Sequence, residues 1–141
     1  MTESRCTRVV VDSSVAFKWF AAEREAGVAR AGALLQAHLD EVAAIHAPDH
    51  LRLEVLNALR CRGFDGPALD RASAELDGFR LTWHRIDAAL ATSAATIASR
   101  HALTLYDAAF AALALELDAE LLTADRRLAG SGACRVSLLG E

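Results

Sequence analysis

The chain is short of several things at once: it has one lysine (Lys18), one methionine, two prolines and three cysteines in 141 residues, and no long apolar run. Each shortage excludes something. Without about 18 consecutive apolar residues there is no membrane-spanning helix, and the polar opening MTESRCTR runs straight into a short apolar strand, unlike a signal peptide. A cytoplasmic location is therefore expected. Cys6, Cys61 and Cys134 are odd in number and lack metal-type spacing, so reduced thiols are expected, not a disulfide framework or a zinc site. His38, His46, His50, His84 and His101 show no i, i+4 or HxH pairing and read as ordinary surface or core histidines. The basic residues are nearly all arginine, and a net charge of -4 argues against a broad basic face that holds nucleic acid by charge alone.

What is present fits one folded domain over residues 1–141. Hydrophobic residues make up 53% and charged residues 24%, and the length suffices to bury a real core. The strongest break, Gly63–Pro67, is too short for a domain linker. No repeat or low-complexity segment occurs. The β-branched run Arg8–Val11 predicts a first strand, Val42–Ala47 a second, Arg80–Ile86 a third, Leu121–Thr123 a fourth and Cys134–Leu138 a last. Helical patterns fall between them: Val15–Phe20, Glu23–Leu39, His50–Arg62 behind a cap at Asp49, Asp65–Asp77, Ala88–His101 capped by Asp87, and a buried helix starting near Asp107. Strands alternating with helices imply an α/β domain with a mainly parallel sheet.

Four acids stand out by position. Asp12 ends the first strand, with Ser13 or Ser14 available to cap the following helix in its place. Asp125 lies just beyond the fourth strand, on the edge of a parallel sheet where ligands bind. Asp107 opens the Ala- and Leu-rich helix. Glu54 sits on the apolar stripe of Leu51, Val55, Ala58 and Leu59, where an unpaired carboxylate is costly and calls for an arginine or a cation. An acid at a helix start is more often a cap than a catalyst, so neither Asp107 nor Asp125 carries weight alone. If the four converge, their mutual repulsion requires a cation, and all-oxygen ligands select a hard ion such as Mg²⁺ or Mn²⁺. The chemistry such a site supports best is metal-assisted phosphodiester hydrolysis.

The segments VVVDSSVAFKWF, APDHLRLEVLNAL, LTLYDAAFAALA and LLTADRRLA, in this order, resemble the four acidic motifs of the PIN-domain ribonucleases, in particular the VapC toxins of bacterial toxin–antitoxin pairs. The resemblance spans essentially the whole chain. It implies a three-layer α/β/α fold, a quartet of Asp12, Glu54, Asp107 and Asp125 holding Mg²⁺ or Mn²⁺, and Ser13 and Thr123 as hydrogen-bonding support beside the site. It also implies an RNA substrate, a homodimer, and a VapB-type antitoxin whose tail occupies a groove near the acids. Phe17, Trp19, Phe20 and the helix from Glu23 are the candidates for that groove. His50 stands where the pattern usually carries an apolar residue.

Two rivals belong to other classes. A phospho-receiver module needs an acid paired with Asp12 and a lysine on a late strand, whereas Ser13 follows Asp12 and the only lysine is Lys18. A PIN-like domain that binds RNA or protein without cutting is the closer alternative, and intact acids weigh against it.

Overall fold

The computed structural model describes residues 6–20 and 26–139. Five parallel strands, β1 (Thr7–Val11), β2 (Ala43–Pro48), β3 (Thr82–His84), β4 (Glu120–Thr123) and β5 (Val136–Leu138), form one sheet in the order β3-β2-β1-β4-β5. Helices flank it in a three-layer α/β/α arrangement, as the resemblance implies, and the parallel sheet is what the alternating pattern predicts. Beginning from β1, successive strands add first on one side and then on the other. The crevice where this direction reverses opens at the C-terminal ends of β1 and β4.

The helices are α1 (Ser13–Phe17), α2 (Val28–Leu39), α3 (Leu51–Cys61), α4 (Gly66–Gly78), α5 (Ala88–His101), α6 (Leu105–Leu117) and α7 (Arg126–Ala129). The fold's centre is α6, which packs across β1, β2 and β4 and is covered by α5. Seven consecutive residues, Ala108–Ala114, are buried on every side of it, which accounts for a helix that has no polar face. The alanines let it lie close to the sheet. In the sheet it covers, Val10, Val11, Ile45 and Leu121 are fully buried.

Several boundaries differ from the sequence expectations, each for a local reason. The helix predicted over Glu23–Leu39 starts only at Val28, because Gly27 takes a left-handed conformation (φ 82°); Glu23 itself lies outside the described residues. Asp49 does not cap α3: His50 holds that position with no side-chain cap bond. The third strand shrinks to three residues, since Arg80 has φ 59° and Arg85 enters a turn with Asp87. Asp87 does cap α5, through Leu90 N at 2.9 Å, and Asp65 caps α4 through Ala68 N at 2.9 Å.

Phe17, Trp19 and Phe20 are mainly packing residues. Phe17 is buried, Trp19 meets Phe79 edge-on at 5.7 Å and donates Nε1–H to Ala31 O at 2.9 Å, and Phe20 lies 5.9 Å from Phe79. Trp19 and Phe20 also wall a cavity of about 310 Å³ against Phe64 and Arg71. The histidines are not all isolated: register brings His46 Nδ1 to 2.8 Å from His84 Nε2 on the adjoining strand. Burial, then the neighbouring His84, pulls the His46 imidazole down to about 4. The described cysteines Cys6, Cys61 and Cys134 are free thiols, and no described helix is long and apolar enough to cross a membrane.

Candidate active site

Asp12 leaves β1 at the reversal point and folds back as the N-cap of α1, its Oδ1 accepting from Val15 N at 3.2 Å. The expectation that a serine would take the cap is thus corrected: Asp12 is cap and site candidate at once. Its carboxylate accepts two more hydrogen bonds, from Ser14 Oγ at 2.6 Å and from Thr123 Oγ1 at 2.5 Å. Burial opposes these three donors and dominates, so the Asp12 carboxyl is pushed up to about 6, with the nearby charge of Asp107 adding to the rise. Only 4% of Asp12 is exposed. A group so placed holds its negative charge at pH 7 at a cost that a neighbouring cation relieves.

Thr123, fully buried at the end of β4, links two acids. Its hydroxyl donates to Asp12 Oδ2 and accepts from Asp125 N at 3.0 Å. Asp125 in turn caps α7, accepting from Arg127 N at 2.9 Å. Asp107 is the third residue of α6 and its N–H donates to the Thr104 cap at 3.1 Å, so α6 begins two residues earlier than expected. This T-x-x-D arrangement fixes the start of α6 at the sheet's C-terminal edge. The Asp107 carboxylate accepts from Arg127 Nη2 at 2.8 Å, and the same nitrogen lies 3.9 Å from Asp125 Oδ2.

Three of the four predicted acids are thereby connected: Asp12 to Asp125 through Thr123, and Asp125 to Asp107 through Arg127. Glu54 is half-buried on α3, one turn after His50. The His50 ring stacks on Phe110 at 4.5 Å and bonds Tyr106 O at 2.9 Å, docking the start of α3 on the start of α6 beside Asp107. That stacking explains a histidine where an apolar residue is usual. Among the described residues the Glu54 side chain makes no hydrogen bond or ion pair, and no three acids, histidines or cysteines are grouped closely enough to hold a metal ion without side-chain movement. Ser13 lines a cleft with Asp125, whereas Ser14 makes the bonds to Asp12 and to Ala124 N (2.8 Å). Ser14 and Arg127 are the site residues the sequence reading passed over. A serine two residues after an N-cap aspartate and an arginine two residues after Asp125 were the available signals.

The cleft itself, about 590 Å³, runs from Asp125 past Ser13, Ser14 and Phe17 to Lys18 and Arg62. Asp125 is the one acid among the described residues that line it.

This arrangement, acids at the switch point of a 3-2-1-4-5 parallel sheet, is that of a PIN domain, and residues 9–130 match the family described by that name. The chain belongs to the PIN domain family. No curated protein matches it at a significant level. Among solved structures, it superposes on a toxin–antitoxin complex from Klebsiella pneumoniae with a TM-score of 0.67 at 18% identity, covering 92% of this chain and 95% of that one. VapC20 of Mycobacterium tuberculosis, described as a sarcin-ricin loop cleaving toxin, gives 0.67 at 19% identity, over 88% of this chain and 95% of its own. The DNA-bound VapBC of Salmonella typhimurium gives 0.67 at 16% identity, over 93% and 97%. At these identities the likeness is one of fold.

Proposed function

We propose that the protein is a metal-dependent endoribonuclease, the toxin of a toxin–antitoxin pair. Asp12, Glu54, Asp107 and Asp125 hold Mg²⁺ or Mn²⁺, with Thr123 and Ser13 in support. The observation that carries this reading is the meeting of Asp12, Asp107 and Asp125, from three separate stretches, at the sheet's reversal point. The donor chemistry suits a hard ion: all its atoms are oxygens, no cation among the described residues offsets the buried Asp12 charge, and a guanidinium already spans Asp107 and Asp125 where positive charge is wanted. When bound, a divalent ion lowers the pKa of a water and stabilises charge on the attacking and leaving oxygens.

The chain's own residues do the rest. Thr123 and Ser14 hold the Asp12 carboxylate in one orientation, and the α7 cap fixes Asp125. Lys18 and Arg62 also line the cleft, Lys18 buried and the Arg62 guanidinium 5.0 Å from the Phe17 ring centroid. For partners, the likeness to a toxin–antitoxin complex and to a DNA-bound VapBC supports a VapB-type antitoxin, and the hollow beside Trp19 and Phe20 is the candidate seat for its segment. A homodimer suits the apolar side chains of Leu105 and Tyr106, which are 54% and 65% exposed at the start of α6.

The Arg127 bridge favours one rival, a PIN-like module that binds RNA or protein without cutting, because it already neutralises two acids. Cleavage of a short single-stranded RNA separates the two. Nuclease activity that needs Mg²⁺ or Mn²⁺ and disappears in both Asp12→Asn and Asp107→Asn is expected. Activity retained in both variants overturns the site, and absence of cleavage by antitoxin-free protein favours the rival.

A further inference from the structure

Arg127 is drawn to the acids by geometry that the fold sets up in advance. Asp125 accepts from Arg127 N at 2.9 Å, which anchors the arginine backbone at the start of α7. From that anchor the side chain reaches Asp107 Oδ2 at 2.8 Å and passes 3.9 Å from Asp125 Oδ2. One cation therefore serves two carboxylates that come from different segments. The pair is also open to water: the Arg127 side chain is 58% exposed and those of Asp107 and Asp125 are 24% and 37% exposed. Ion pairs this exposed are weak and exchange readily. The guanidinium can swing outward on its stem while the backbone cap of α7 stays in place.

We propose that Arg127 is a resident countercation of the acidic site, which competes with the divalent metal for Asp107 and Asp125 and leaves when the metal loads. The inference rests on the reading of these acids as a metal site. It assigns the metal-free protein a neutralised state and makes metal affinity depend on a residue that is not a ligand. A closed cycle links the two effects: whatever Arg127 contributes to stability without metal, its removal adds to metal affinity.

The test measures Mn²⁺ binding to the full-length, metal-free chain by calorimetry, for the parent, Arg127→Gln, Arg126→Gln and Asp107→Asn. The expected result is Mn²⁺ binding about three- to five-fold tighter in Arg127→Gln, the factor that corresponds to one exposed ion pair. Arg126→Gln removes the same charge next door and should change affinity by less than about half that factor. Urea unfolding supplies the second readout: Arg127→Gln is less stable than the parent without metal, by a like factor in its unfolding constant, and equal to it at saturating Mn²⁺. Unchanged or weaker Mn²⁺ binding in Arg127→Gln, with parent binding that still needs Asp107, overturns this inference alone. Equal tightening in Arg126→Gln also overturns it, since bulk charge then accounts for the effect. A parent that binds no Mn²⁺, or binds it equally well as Asp107→Asn, overturns the metal-site reading and this inference with it.

Discussion

Thr123 Oγ1 donates its hydrogen to Asp12 Oδ2 at 2.5 Å across 111 residues of sequence and itself accepts from Asp125 N at 3.0 Å. One buried hydroxyl thus sets both the orientation of Asp12 and the path of the chain into Asp125. Thr123→Val keeps the shape and removes both bonds. It leaves the Asp125 N–H and one Asp12 oxygen without that partner, so unfolding should show a loss of about 1–3 kcal/mol. RNA cleavage should fall with it. A variant as stable and as active as the parent would show that Thr123 positions neither acid.

The elevated Asp12 carboxyl makes stability depend on pH in a predictable direction. Its folded value of about 6 exceeds the ordinary 3.8, so between these limits the folded protein keeps a proton that the unfolded chain has released. Stability from this group is therefore full below about pH 4, declines as pH rises through about 6, and is level beyond. The total change is on the order of 3 kcal/mol. Asp12→Asn should flatten that slope in metal-free protein. Since asparagine caps helices as well as aspartate, the variant should match or exceed the parent's stability at pH 7. Urea unfolding at a series of pH values checks both statements, and a loss above about 2 kcal/mol at pH 7 would make the ionised carboxylate a structural element.

The acids were legible in the sequence because each one interrupts a strong pattern. Asp12 ends a run of valines, Asp107 precedes a helix with no polar face, and Asp125 follows a short apolar strand. The parallel sheet was legible for the same reason, since strands and helices alternate. What could not be read depends on side-chain reach and on register. The His46–His84 contact exists because β2 and β3 pair with Pro48 opposite His84, which no spacing along the chain encodes. Arg127 lies only two residues from Asp125, yet its role appears once α6 brings Asp107 alongside. Asp12 was set apart from capping because Ser13 and Ser14 were available, whereas a carboxylate with two oxygens caps α1 with one and meets Thr123 with the other.

The end of α5 carries a stability reserve. Ala102 is its C-cap in the left-handed conformation, φ 55° and ψ 43°, a region that costs a residue with a Cβ about 1–2 kcal/mol. Glycine removes that cost and gives back part of it as unfolded-state freedom. Ala102→Gly should therefore raise stability by about 0.5–1 kcal/mol, measured by urea unfolding, with cleavage unaffected. A loss of stability would mean that the Ala102 methyl makes a packing contribution larger than the strain.

The most direct test of the central claim is incubation of total cellular RNA with purified, antitoxin-free protein in Mg²⁺, in Mn²⁺ and in EDTA, beside the Asp107→Asn variant. Discrete fragments that appear only with metal and only with Asp107 intact are the predicted result, and sequencing their ends names the target. RNA left whole under every condition, or cut equally in EDTA and by Asp107→Asn, would contradict it.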